Sequence, residues 1–441
     1  MSREPQHHKI LMFPWLAHGH ISPFAVLAKK LIPRNFQVFL CSTPVNLESF
    51  RESINEPSLE FVELHLSSSE LPAKYHTTKN LPTHLMPALK TVFIESKENF
   101  RNILKNIQPD VLVYDFMQPW ASVMASEEGI RSTVLFPCGA ACTSCIVHYA
   151  IQPEKEFPFE SLRFSRTERE KNQILNAATD SDNNKEDFLR CFGGSSASSI
   201  MINTSNKIEA KYISYLSELV KKEVVSVGFL IQEPAKKSDD RKLMDWLCKK
   251  NPKSVVFVSF GSEYFLTKEE AEEVALGLEI SGVPFIWVVR FPEGEEMDLD
   301  DALPQGFRKR IGDRGMIVEG WAPQAKILKH PNVGGFLSHC GWNSILEAVT
   351  CGVPVIAMPM QLDQPMNSRL VPELGIGIEV RRDGEVYTRK EIAKAVKKVV
   401  VEEEGKEMAR NVDKLSGEVR GNFDDEMDLT VSMLVQLAKG R

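Results

Sequence analysis

His20 and Asp115 are the first residues whose types and positions point to chemistry. His20 sits in Gly19-His20-Ile21-Ser22-Pro23, just past the apolar run Ile10–Phe13, and Asp115 follows the run Val111–Tyr114. A histidine titrates near neutrality and can take a proton from a hydroxyl. A carboxylate behind the ring fixes its tautomer and stabilises the imidazolium. His18 is the competing proton acceptor, and a strand-end carboxylate bonded to a nearby N–H is the bland role for Asp115.

A second group lies between Trp321 and Gln364. The run Gly334–Ser338 reads as a strand leading into His339-Cys340-Gly341-Trp342-Asn343-Ser344. A helix is expected from about Ser344 to Thr350, stopped by Gly352. N–H groups at a helix start lack carbonyl partners and bind anions. Glycines such as Gly341 let a backbone approach phosphate, and His339, Asn343 and Ser344 add donors. Glu347 is four residues after Asn343, on the same helix face, where a carboxylate accepts two hydrogen bonds from a ribose diol. Trp321 offers a flat indole for a base to stack on. Asp363 and Gln364 fall past the run Val353–Met358, an acid and an amide suited to the hydroxyls of a hexose. Gly261 and Ser262, after the Val-rich run Val255–Ser259, are further candidates for phosphate contact. An ordinary strand–helix turn explains one glycine or one histidine, not this whole set.

These residues need elements to hold them. Short apolar runs alternate with helical patterns, which argues for parallel, doubly wound α/β sheets. Ile10–Phe13, Val38–Cys41, Val111–Tyr114, Thr133–Phe136 and Ile200–Ile202 read as strands, with helices over Pro23–Leu31 and Leu89–Ile107. Ser22 suits a helix N-cap and Pro23 the first helical position, which would leave His20 in the loop before the helix. A second strand series runs Val255–Ser259, Phe285–Arg290, Met316–Glu319, Gly334–Ser338 and Val353–Met358. Val227–Asp240 reads as a linker between the two series, and two such sheets leave a cleft for ligand. Phe157–Asn184 is polar and charge-rich and reads as a surface loop.

Composition narrows the partners. The chain has 441 residues, 43% of them hydrophobic, enough for two cores. Its net charge is −7 and no long basic run stands out, which argues against a nucleic-acid partner. An anionic ligand must therefore be held by local donors. The eight cysteines include one C-x-x-C pair, Cys142 and Cys145, without a second such pair, so no zinc set is expected. The usage fits a reduced, cytoplasmic protein. The run Ile10–Leu16 is short and broken by Pro14, so neither a signal peptide nor a membrane span is read. No G-x-G-x-x-G follows the first strand, which argues against a dinucleotide-dependent oxidoreductase.

The Trp321–Gln364 segment resembles the signature of plant-type UDP-dependent glycosyltransferases, and the resemblance extends along the whole chain. It implies a GT-B fold, two facing Rossmann-like domains with an interdomain cleft. The implied domains are 1–228 for the acceptor, a linker 229–240, 241–422 for the UDP-sugar, and a C-terminal helix 423–441 packing back on the first. It implies inverting sugar transfer with no metal and no cofactor beyond the UDP-sugar co-substrate. The family's G-H-x-x-P base falls on His20 and its aspartate partner on Asp115. Ala322 and Gln324 match positions that read uracil and ribose. A final Gln with Trp342 accompanies UDP-glucose in the family. The acceptor would meet first-domain residues, with Trp15, Phe116, Trp120, Gly139 and His148 as candidates.

The segments 12–24, 61–64 and 259–265 are similar to the branch that lengthens sugar chains on existing glycosides of flavonoids, triterpenoids, lignans or apocarotenoids. Transfer of glucose to such a glycoside is the expected function of a monomer working without nucleic acid or membrane. Transfer to an aglycone, or use of UDP-rhamnose, UDP-xylose or UDP-glucuronate, is the alternative. One departure is Phe229, where relatives carry proline.

Overall fold

The order of strands in two parallel sheets decides where a ligand meets them. The computed structural model describes residues 7–51, 58–67, 71–171, 188–192, 199–233, 240–291 and 299–440. The chain forms two units, residues 1–232 with 421–441, and residues 233–420.

The first unit holds β1 (His8–Phe13), β2 (Phe36–Ser42), β3 (Leu59–Glu63), β4 (Val111–Asp115), β5 (Arg131–Phe136), β6 (Ser199–Ile202) and β7 (Glu223–Ser226). They form one parallel sheet in the order β3-β2-β1-β4-β5-β6-β7. Central strands are buried on both sides, as parallel sheets covered by helices require; Ile10 to Phe13 are all fully buried. The order reverses between β1 and β4, and ligands of such sheets bind at the carboxyl ends beside that reversal. The sequence reading missed β3 and β7. Both are edge strands, and β3 carries two glutamates, Glu60 and Glu63, among its five residues, which dilutes the apolar signal.

The second unit holds β8 (Val255–Ser259), β9 (Phe285–Val289), β10 (Gly315–Glu319), β11 (Val333–Ser338), β12 (Val355–Ala357) and β13 (Gly377–Glu379). Their order is β10-β9-β8-β11-β12-β13, with the same reversal between β8 and β11. Each unit has its own core. One packs Phe24, Leu27 and Leu31 against Phe36, Val38 and Leu40. The other packs Val274, Ala275 and Leu278 against Phe285, Trp287, Ile392 and Val396.

Three sequence expectations need correction. The single helix expected over Leu89–Ile107 is two, Met86–Glu95 and Lys97–Ile107. Ser96 separates them and turns its hydroxyl back to the Phe93 carbonyl at 2.7 Å, a bond that competes with the helical ladder. Arg166–Lys171, taken as loop, is a short helix, while residues 172–184 of that segment lie outside the described residues. So do residues 234–239 of the expected linker.

The third concerns the last helix, expected after about Asn422. It runs unbroken from Glu403 to Ala438, and its residues from Gly421 on cluster with the first unit. Glu426 fixes it there. Its Oε1 accepts from the Ser205 hydroxyl at 2.9 Å and the Asn206 N–H at 2.7 Å, at the start of the helix Asn206–Val220. Phe423 lies against Gly228, where a Cβ would stand 2.6 Å from the ring. Gly228 also has φ of 74°, so a side chain there would be strained as well as crowded. Among the described residues no helix is long and apolar enough to cross a membrane.

Candidate functional site

The candidate residues fall into two groups, one in each unit, and most of them follow strands at the carboxyl edge of the sheet.

In the first unit, the helix after β1 begins at His18, not at Pro23. The Ala17 carbonyl accepts the N–H of both His20 and Ile21 at 2.9 Å, which closes the first turn before Ser22 is reached. Ser22 is therefore buried inside the helix rather than capping it, and Pro23 lies within it too. Pro23 withholds one N–H from the helical ladder close to the helix start. His20 thus sits on the first helical turn, held more firmly than a loop residue.

His20 Nδ1 is 2.7 Å from Asp115 Oδ2, although the two are 95 residues apart. Adjacency of β1 and β4, with Phe13 beside Tyr114, brings them together. Asp115 is fully buried, and its other oxygen accepts the Met117 N–H at 3.0 Å. One carboxylate therefore makes both contacts weighed from sequence, to a nearby N–H and to the imidazole. An N–H donated from Nδ1 to this carboxylate leaves the imidazole lone pair on Nε2. His18 stacks instead against Phe50, with centroids 5.9 Å apart.

Gln118, which the sequence reading passed over, ties the two loops. It is fully buried, and its amide donates to the Phe13 carbonyl at 2.7 Å. No motif marks it, because its partner is a backbone atom 105 residues earlier.

The acceptor candidates divide. Phe116 is partly exposed, 5.8 Å from the His20 ring and stacked on Phe136 at 5.1 Å. Trp15 is buried edge-on against Phe93, and Trp120 packs with Phe13, Phe93 and Phe100. Gly139 is the N-cap of the helix Ala140–Ile151, whose Ala140 and Ala141 N–H groups are already taken by the buried Glu209 at 2.8 and 2.7 Å. His148 corrects the sequence reading. It is buried, with Nδ1 bonded to the Tyr215 hydroxyl at 2.6 Å and Nε2 to the Lys155 carbonyl at 2.9 Å, so both ring nitrogens serve the fold.

In the second unit, the loops after β8 and β11 meet around His339. The ring is buried and lies between Gly261 and Gly341. A Cβ on Gly261 would stand 2.4 Å from its Nε2, and one on Gly341 2.6 Å. Burial pushes the His339 pKa down to about 4, only partly opposed by the Ser259 backbone, so the ring is neutral at pH 7. Cys340 turns the chain at φ of 66°, and the helix that follows runs Trp342–Cys351 with Gly341 as its N-cap, two residues earlier than expected. Asn343 and Ser344 therefore lie in its first turn. Trp342 is only 4% exposed and contributes packing.

Glu347 is partly buried one turn later. Gln324 donates its amide to Glu347 Oε2 at 2.8 Å and to the Ser344 hydroxyl at 3.2 Å. Burial pushes the Glu347 carboxyl up to about 7, with the Gln324 bond opposing the shift. Gly320 reverses the chain after β10 at φ of 81° and presents Trp321, which is 57% exposed; Ala322 beyond it is buried. Ser262 is partly exposed beside Gly261.

Asp363 accepts from the Asn367 amide at 2.7 Å. Gln364 is buried, and its Oε1 accepts the N–H groups of Met360 and Gln361, both at 2.9 Å. Its carbonyl thus shapes the loop, and only its NH2 donors remain for a ligand.

Known proteins match this arrangement along the whole chain. Residues 220–422 match the family described as UDP-glucoronosyl and UDP-glucosyl transferase, and residues 7–232 match the glycosyltransferase N-terminal domain. A flavanone 7-O-glucoside 2''-O-beta-L-rhamnosyltransferase of Citrus maxima is 43% identical over 98% of this chain and 97% of its own. The chain belongs to the UDP-glycosyltransferase family. A beta-D-glucosyl crocetin beta-1,6-glucosyltransferase of Gardenia jasminoides is 44% identical, over 97% of this chain and 98% of its own. Among solved structures, a Glycyrrhiza uralensis glycosyltransferase complexed with glycyrrhetinic acid 3-O-monoglucuronide superposes with a TM-score of 0.87 at 25% identity, covering 98% of this chain and 96% of that one. The glycosyltransferase accordingly has the GT-B class of fold, with a parallel Rossmann-like sheet in each unit.

One more side chain of this UDP-glycosyltransferase stands among the donor candidates. Arg290, next after β9, has its guanidinium 5.5 Å from the Trp321 ring centre and its Nη1 3.4 Å from the Gly261 carbonyl. The sequence reading counted it only as the end of a strand.

Proposed function

We propose that this glycosyltransferase moves glucose from UDP-glucose to a sugar hydroxyl of a plant specialised-metabolite glycoside, with inversion and without metal. The observation that carries the chemical part is the His20–Asp115 pair, buried at its carboxylate end and fixed at 2.7 Å. His20 Nε2 takes the proton of the acceptor hydroxyl as its oxygen attacks C1 of the sugar. Asp115 stabilises the resulting imidazolium. UDP leaves from the opposite face, and the negative charge that builds on its diphosphate meets the donors of the His339–Ser344 loop. Trp321 stacks on uracil, Glu347 takes the ribose diol, and Asp363 with the Gln364 amide holds the hexose hydroxyls. The Gln364 donors support glucose. The Gardenia and Citrus relatives, each named for action on a glucoside, support a glycoside acceptor. The Citrus relative's name keeps UDP-rhamnose as the second reading.

The test is a panel of UDP-glucose, UDP-rhamnose, UDP-xylose and UDP-glucuronate against aglycones and their glucosides, with product linkage read by NMR. Product from UDP-glucose and glucosides, undiminished in excess EDTA, is expected. Turnover confined to aglycones would overturn the acceptor assignment. Loss of activity in EDTA would overturn the metal-free one.

Glu347 gives the donor site a pH dependence. Its raised carboxyl is protonated below about 7 and accepts two diol bonds only above that. UDP-glucose affinity should therefore fall as pH drops through this window, by roughly tenfold, the scale of a weakened charged hydrogen bond. UDP-glucose suits the titration because its diphosphate is esterified at both ends. In Glu347→Gln the calorimetric slope should vanish and affinity should be low throughout. A slope that survives in this variant would place the titrating group elsewhere.

A further inference from the structure

The geometry points to Arg290 as the residue that positions Trp321 for the nucleobase, by packing its guanidinium on one face of the indole and holding it there from the phosphate-side loop. This rests on the reading of Trp321 as the uracil platform.

Sheet order makes the arrangement unavoidable. β9 lies between β10 and β8. On one side Val289 pairs with Glu319, and the Gly320 N–H extends that ladder to the Val289 carbonyl at 2.8 Å. Gly320 then turns, so Trp321 emerges beside Arg290. On the other side Val258 pairs with Trp287, so Gly261 and Arg290 stand equally far beyond that pair. Arg290 is therefore the residue of the middle strand that reaches both neighbouring loops. Its guanidinium covers the indole at 5.5 Å, and Nη1 donates to the Gly261 carbonyl at 3.4 Å.

The physics favours a stack. A guanidinium is flat, weakly hydrated and always charged, so it can lay its whole plane along an aromatic face, whereas an ammonium offers only a compact, strongly hydrated point charge. Burial lowers the Arg290 pKa, with Glu263 opposing, and this partial loss of water strengthens its attraction to the ring. Trp321 is still 57% exposed, so a large part of the ring is open to a ligand. An exposed indole on a turn would otherwise sample several rotamers, each wrong one lowering base affinity. Gly261 gains a second reason for its place: its carbonyl holds the clamp, while its bare Cα admits His339.

The experiment measures UDP dissociation constants by calorimetry for the wild type, R290M, R290K, R290Q, W321A and R290M/W321A, with thermal midpoints recorded for each. R290M keeps the aliphatic stem and removes the charged plane. It should weaken UDP about tenfold, the worth of a half-desolvated cation on an indole. KM for UDP-glucose should rise in step, with kcat at saturating donor moving far less. R290K should remain weak, because a point charge cannot stack.

In the W321A background R290M should add nothing, because Arg290 acts through the ring. Additive losses would overturn the proposal, as would full affinity in R290M or R290K. R290Q retains an amide NH2 for the Gly261 carbonyl. Wild-type binding by it would show that the loop bond, not the stack, matters, and would also overturn the proposal. If W321A itself leaves UDP binding unchanged, the nucleobase reading of Trp321 fails and the proposal with it. If W321A weakens UDP but R290M is additive, the proposal alone fails.

Discussion

His20→Ala should remove sugar transfer and spare donor binding. A general base contributes on the order of a hundred- to ten-thousandfold, and alanine offers no substitute for the Nε2 lone pair. Turnover should fall by roughly that factor, while the calorimetric affinity for UDP stays near wild type, because the donor residues all belong to the other unit. Asp115→Asn is the companion measurement. The amide can present an N–H to Nδ1, which would favour the tautomer with its proton on Nε2, where it cannot accept. Its loss should approach that of His20→Ala. Transfer that survives in His20→Ala would give the proton to another group, and His18 is the first to substitute next.

The second large effect is steric. Alanine at Gly341 would put a Cβ 2.6 Å from His339 Nε2, and alanine at Gly261 one at 2.4 Å. A ring pressed from one side could slide toward the other, but the second glycine closes that side too. Overpacking of this kind costs about 1–3 kcal/mol. Gly261 adds backbone strain, because its φ of 77° suits glycine. Both variants should weaken UDP by about ten- to a hundredfold as His339 is driven from its slot, Gly261→Ala the more. The control is His339→Ala. With the ring gone, Gly341→Ala should cause little further loss. Equal losses in both backgrounds would mean that the glycine is needed for close approach of the ligand and not for the histidine.

Much of this was legible because it is local. The segment after β11 is contiguous, and its order of strand, glycine turn and helix can be read directly. The His20–Asp115 pair is distant in sequence, yet each follows a strong apolar run, and parallel strands send all such ends to one edge. What escaped depends on register or on backbone partners. Arg290 meets Trp321 only because β9 pairs with β10 in one alignment. Gln118 bonds a carbonyl, and carbonyls leave no mark on sequence. The helix start at His18 was misplaced because Ser-Pro is a strong N-terminal signal. Here the Ala17 carbonyl captured the turn first. His148 was read as a candidate acceptor contact, but its ring nitrogens are bonded to the Tyr215 hydroxyl and the Lys155 carbonyl.

The Glu426 contact has a consequence for anyone recombining these enzymes. The first unit is written in two separated stretches, 1–232 and 421–441, and Ser205, Asn206 and Phe423 on Gly228 join them. A chimera that borrows the leading half from a relative inherits a hydroxyl, an amide and a bare glycine that expect a particular carboxylate and a particular ring. The closing twenty-odd residues must therefore travel with the first half, as a matched plug and socket, for the hybrid to fold cleanly.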